Sequence, residues 1–199
     1  AANQVALAII KNLARPGSGN VDAYSKAYAF FSLPHGLLAV SIATTFVPEL
    51  ARAVAQNNKQ EFDRRFFSGI RLTAMATIPA SLVLVIFAKP IVALLLQYGN
   101  FDASATTNTA RALIGLGFGL SGFSIYLFVL RGFYSYGDTR TPFFINLFEN
   151  ALNIVFAILL VGKYDVLGLG LAFSFAYLIS SVVAIYLLRR KTATLSQTS

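Results

Sequence analysis

The chain has 199 residues, 56% hydrophobic and only 12% charged, with a net charge of +8 and no cysteine. The charged share is about half that of a soluble domain. The missing cysteines exclude a disulfide framework, a thiolate nucleophile and a cysteine metal site.

In chain order, residues 1–14 (AANQVALAIIKNLA) read as the tail of a helix that starts upstream. No basic stretch or initiator Met marks them as a signal peptide, so the chain reads as a piece of something longer. Five full spans are predicted after it, at 24–50, 66–97, 106–134, 142–162 and 166–190. Charge-free runs carry this reading: none lies between Lys26 and Glu49, Arg71 and Lys89, Arg111 and Arg131, or Asp165 and Arg189. At about 1.5 Å per helical residue, such runs reach across a hydrocarbon core of about 30 Å. The fold class is therefore all-α, a polytopic transmembrane bundle of about six membrane helices. Residues 1–191 form the bundle and 192–199 a polar tail or linker.

The connections explain the positive charge. Alternate ones share a membrane side: Lys11–Lys26, Lys89–Arg111 and Lys163–Asp165 carry six Lys/Arg, whereas Arg52–Arg71, Arg131–Arg140 and Arg189–Lys191 carry ten. The positive-inside rule places the second set in the cytoplasm. Topology accounts for the charge, and no nucleic-acid partner is implied. The Arg52–Arg71 connection reads as an interfacial helix with Phe62, Phe66 and Phe67 toward lipid. In RGFYSYGDTRTP, Arg131 and Arg140 bias a hairpin inward, and Phe133, Tyr134 and Tyr136 anchor it at headgroup depth. Gly137-Asp138 turns it, and Pro142 sits in the first turn of the next helix.

Inside the spans, Pro34-His35-Gly36 interrupts the first full span and Pro79 lies within the next. Such breaks kink helices and line binding sites in transporters. His35 is the only histidine and has no second His, Cys or nearby acid, so it makes neither a triad nor a metal site. Gly115 and Gly119 form a GxxxG pair, which reads as close helix packing. Asn146, Glu149, Asn150 and Asn153 share one helical stripe. A carboxylate near mid-bilayer costs roughly 2.5–3.5 kcal/mol, so Glu149 faces the bundle or water. The stripe is then a cation or proton site, or it makes interhelical hydrogen bonds worth about 0.6 kcal/mol each.

RGFYSYGDTRTP is similar to the signature turn of the lipid II flippase (MurJ/MviN) family, within the multidrug/oligosaccharidyl-lipid/polysaccharide exporter superfamily. LPHGLLAVSIATTFVPELAR (Leu33–Arg52), IPASL…KPIVALLLQYGNFD (Ile78–Asp102) and RALIGLGFGL (Arg111–Leu120) agree, in the same order. The family has fourteen spans in two six-helix lobes plus two extra helices. This chain resembles helices seven (partial) to twelve, the second lobe of a two-lobe transporter.

The resemblance implies a non-enzymatic function in the bacterial cytoplasmic (inner) membrane. It is movement of an undecaprenyl-pyrophosphate-linked disaccharide-pentapeptide from the inner to the outer leaflet, for peptidoglycan synthesis. The implied partners are this lipid-linked precursor, membrane lipid and the remaining first lobe of the same protein. No cofactor is implied beyond sodium or a proton as coupling ion. Family members carry an Arg where this chain has Ala29 and a Glu where it has Ser32, and those roles do not transfer. Lys26, Ser32 and His35 are the candidates along a substrate path, Lys26 either replacing the lost cation or snorkelling at a span end. Some members bind sodium through an Asn that Asn153 matches. Their Asp one turn later is Ala157 here and their Thr on the next helix is Phe173, so a sodium site would need Glu149 beside Asn153. The alternatives are another exporter of the superfamily, for a lipid-linked oligosaccharide or a drug, and a non-transporting membrane scaffold.

Overall fold

The computed structural model describes residue 12 and residues 19–96 and 103–195, and every regular element among them is helical. Helix α1 (Asn20–Pro34) passes through a π segment (His35–Ala39) into α2 (Val40–Ala55), giving one apolar span of 36 residues. Proline has no amide hydrogen and crowds the preceding turn. The chain widens by one residue just after Pro34, where the Val40 amide donates to the His35 carbonyl.

A tight turn then reverses the chain. Asn57 takes a positive φ of 52°, and the Asn58 side chain caps α3 (Lys59–Ile86) by accepting from the Glu61 amide at 2.9 Å. Helix α3 runs through Pro79 to a break at Phe87, beyond which lies α4 (Ala88–Leu96). Helices α5 (Ala103–Gly117) and α6 (Leu120–Ser135) meet at a 48° bend and together are long and apolar enough for one span. Helix α7 (Arg140–Leu195) contains one non-helical residue, Asp165 (φ 50°, ψ −128°). Its two limbs fold back on each other there, with the Phe156 and Phe175 rings 5.9 Å apart.

These bounds correct the sequence reading at several points. The 24–50 span runs from Asn20 to Ala55, and the 66–97 span begins at Lys59 and breaks at Phe87. The 106–134 span is two helices, and 142–162 and 166–190 are the limbs of α7. Helix persists through Leu195, so residues 192–195 extend the last helix rather than start a polar tail. The charged residues did not end helices because they pair along them: Lys59 with Asp63, and Arg64 and Arg65 with Glu61. The predicted helix at 1–14, residue 12 aside, and residues 196–199 lie outside the described residues.

Small residues set the packing. A Cβ on Gly115 would stand 2.7 Å from the Leu167 carbonyl oxygen and 2.9 Å from the Gly170 Cα. The α5 backbone therefore lies directly against the second limb of α7, and the Ser174 hydroxyl bonds the Gly115 carbonyl at 2.6 Å. This is the close packing expected of the GxxxG pair. Large apolar side chains such as Leu37, Met75, Ile86 and Val182 point outward, more than 60% exposed, as a lipid-facing surface requires.

One end of the bundle gathers three distant segments. Arg65 on α3 pairs with Glu49 on α2 at 3.0 Å, the Phe62 ring meets Tyr136 at 4.9 Å, and Lys191 reaches Asp138. Phe62 and Phe66 are each 1% exposed, so they are core residues and only Phe67 faces outward. Phe133 is likewise buried, leaving Tyr134 as the exposed aromatic of the α6–α7 turn.

Candidate functional site

The first limb of α7 starts at the Asp138 cap and carries the asparagine stripe inward. Glu149 is 1% exposed, and Asn150 and Asn153 are buried beside it. Asn150 donates to the Asn146 backbone carbonyl at 2.7 Å and to its side-chain oxygen at 3.2 Å, so these two satisfy each other along the helix. Neither carboxylate oxygen of Glu149 has a partner in good hydrogen-bond geometry among the described residues, and the same holds for Oδ1 of Asn153 and the Tyr126 hydroxyl. The Tyr177 hydroxyl beside Glu149 and the Asn146 side chain beside Tyr126 make only weak contacts. Tyr24 and Tyr28 of α1, Tyr126 of α6 and Tyr177 of α7 all lie within Coulombic reach of the carboxylate.

Strong interhelical hydrogen bonding by Glu149 is therefore absent among the described residues, apart from the weak Tyr177 contact. An unpaired buried charge is costly, so burial disfavours a bare carboxylate here. Glu149 and Asn153 present unmatched oxygens, which suits a monovalent cation. Ala157 has no donor, and Phe173 packs its ring on Tyr177 at 4.5 Å and on Phe31 at 5.3 Å. The Asn, Asp and Thr sodium pattern of the resembling proteins is thus not reproduced, since only the Asn position is matched here. Among the described residues no group of three His, Cys, Asp or Glu converges on a metal position.

The substrate-path candidates do not converge. Lys26 pairs with Asp22 one turn earlier at 2.6 Å, which makes it a local ion pair near a span end. The Ser32 hydroxyl bonds its own helix at the Ala29 carbonyl, 2.7 Å away. His35 does reach another element: its Nδ1 lies 3.0 Å from the Ser124 hydroxyl and its ring rests on Phe123 at 4.6 Å. Sequence reasoning missed Ser124 and the four tyrosines, since nothing along the chain marks a neighbour on another helix.

The signature turn is built around Asp138. One carboxylate oxygen accepts from the Arg140 and Thr141 amides, each at 3.0 Å, and the other from the Thr141 hydroxyl at 2.7 Å and the Lys191 ammonium at 2.5 Å. Burial works to raise this carboxyl, but the Lys191 ammonium and the Thr141 donors outweigh it and hold it well below the usual carboxylate range. Gly137 takes the positive φ of 67° that lets the chain turn, and Pro142 falls in the first turn of α7. Lys191 reads in sequence only as a topology charge; in the fold it fastens the far end of α7 to this turn.

Apolar helices of spanning length and an outward apolar surface define a multi-pass membrane protein. The sequence profile described as "Lipid II flippase MurJ" matches residues 1–199. The chain belongs to that family, whose members are transporters. It is 36% identical over 140 residues to the lipid II flippase MurJ of Burkholderia cenocepacia, covering 70% of this chain and 27% of that one. It is 31% identical over 169 residues to the probable lipid II flippase MurJ of Rhizobium meliloti, covering 85% and 32%. The chain thus spans about a third of these relatives' length. A solved lipid II flippase MurJ in an inward closed conformation superposes with a TM-score of 0.85 at 25% identity, over 94% of this chain and 40% of that one. A MATE transporter in a straight conformation superposes at 0.87 with 14% identity, covering 98% and 44%, a likeness of fold alone.

Proposed function

We propose that this chain is the second lobe of a flippase in the bacterial cytoplasmic membrane. It moves an undecaprenyl-pyrophosphate-linked disaccharide-pentapeptide from the inner to the outer leaflet by rocking against a first lobe. Family membership over the whole chain supports the substrate class. The end holding the Asp138 turn and Lys191 faces the cytoplasm, on the positive-inside rule.

The observation that carries active transport is the unmatched Glu149 carboxylate inside the lobe. A carrier coupled to an ion gradient needs a group that binds the ion differently in its two states, and a buried carboxylate can take and release a cation. The cation is a proton on Glu149. Sodium held between Glu149 and the Asn153 oxygen is the competing occupant.

The test is Glu149→Gln in the full-length protein, reconstituted in vesicles with labelled lipid-linked precursor and assayed across pH and sodium concentration. Flipping is expected to fall at least tenfold and to lose its pH dependence. Dependence on sodium but not pH in the wild type would favour the competing occupant. Unchanged transport under every condition reduces the stripe to packing.

A further inference from the structure

His35, Ser124 and Arg131 line one open cleft between the π segment and α6, with Ala39, Ala43 and Phe128 among its walls. Ser124, Phe128 and Arg131 share one face of α6 at helical spacing. Opposite them, the extra residue of the π turn sets His35 and Ala39 toward the same space, and alanines at 39 and 43 leave room there. Three polar groups thus come from two helices with no carboxylate among the lining residues.

Their free valences all have the same sign. The Arg131 guanidinium makes no ion pair or hydrogen bond among the described residues, although five of the acids there are paired with other cations. Ser124 is 1% exposed, and His35 Nδ1 is the only partner its hydroxyl has among the described residues. A buried hydroxyl proton is costly to leave unmatched, so it goes to Nδ1. The ring proton then sits on Nε2, which becomes a donor. A guanidinium and an imidazole N–H, both part-exposed, are unfavourable against hydrocarbon, so the cleft opens to water or headgroups.

We propose that this cleft binds the phosphate oxygens of a phosphate or diphosphate, with Arg131 and the His35 Nε2–H as donors and Ser124 fixing the imidazole. Guanidinium forks match phosphate geometry, and a lone cation without a carboxylate selects an anion. The inference rests on the flippase reading for its natural occupant, the diphosphate of the lipid-linked precursor. Free pyrophosphate offers the same chemistry.

Histidine-selective 15N labelling tests it in detergent-solubilised protein, the His35 signals being assigned by their loss in His35→Gln. Titration with inorganic pyrophosphate is expected to shift the His35 resonances saturably. Arg131→Gln is expected to weaken that binding about tenfold to a hundredfold. Ser124→Ala, which removes one hydroxyl and leaves packing in place, is expected to weaken it less and to change the tautomer signature of the ring. Nanodiscs containing undecaprenyl pyrophosphate form the second arm. A shift there that pyrophosphate competes away assigns the site to the lipid-linked diphosphate, and a shift with pyrophosphate alone assigns it to the free anion. No shift with either probe, an equal shift with chloride, or undiminished binding by a folded Arg131→Gln overturns the site. Flipping is measured on the same variants. Normal flipping by Arg131→Gln without pyrophosphate binding removes the site and leaves transport standing, whereas a wild type that binds pyrophosphate but flips nothing fails the flippase reading alone.

Discussion

Removing the Asp138 carboxylate tests whether the α6–α7 turn is a lock on the end of the bundle or only a connection. The amide contacts to Arg140 and Thr141 are an N-cap, worth about 1 kcal/mol. The Lys191 contact is a charge-assisted bond of about 1.5–3 kcal/mol when shielded. Its side chains are 30% and 12% exposed, which brings the figure toward about 1 kcal/mol. Asp138→Ala is therefore expected to cost about 2–3 kcal/mol, and Asp138→Asn, which keeps a capping oxygen, about 1 kcal/mol. The double-mutant cycle with Lys191→Ala should return a coupling of about 1 kcal/mol. Equilibrium unfolding of the purified protein in detergent measures all four corners.

The pH dependence has a definite sign. The carboxyl is held below its ordinary range in the folded state, so its stabilisation is fully present above the unfolded pKa of about 3.9. It is lost only as pH falls through the lower folded value. The gap between wild type and Asp138→Asn should stay flat from neutral pH to about pH 5 and close only in stronger acid. A coupling within about 0.3 kcal/mol of zero, or a gap that closes near neutral pH, would refute the lock.

Glu149→Gln should unfold at the same temperature as wild type or higher, because it removes an unmatched buried carboxylate and its amide can donate to the free Asn153 oxygen; thermal melts check this, and a large loss would show that the carboxylate has a structural partner. Gly115→Ala should cost about 1–3 kcal/mol, since the new Cβ meets α7 backbone that cannot yield, whereas Gly36→Ala, with nothing within 4 Å, should leave the melting temperature nearly unchanged. Arg65→Ala, which breaks solvent-screened pairs with Glu49 and Glu61, should leave the melting temperature nearly unchanged, and a clear drop in a thermal melt would contradict this.

The spans were legible because hydrocarbon thickness is a length, and length is written directly along a chain. Their ends were less so. The polar Arg52–Arg71 stretch reads as one interfacial helix, yet Asn57 accepts a left-handed backbone and Asn58 stands three residues before Glu61, the spacing of a helix cap, so the chain turns there instead. The Lys163–Asp165 turn is legible, and the chain breaks at Asp165, because charges between two long apolar runs have nowhere to go but a membrane surface.

Hydrophobicity fails at a different question, namely which face of a span meets lipid and which meets protein. Phe62 and Phe66 look no different in sequence from Phe67, yet two are sealed against α6 and its turn and one is outside. In water burial separates apolar from polar; in a bilayer both environments are apolar and the signal vanishes. What does discriminate is a residue that lipid penalises or that only a close neighbour explains. Glu149 pointed inward for the first reason and Gly115 for the second, and both readings hold in the fold. The tyrosines around Glu149 and the Ser124 beneath His35 carry neither mark, because a hydroxyl at a helix surface is tolerated almost anywhere. Their roles exist only once α1, α6 and both limbs of α7 are brought together.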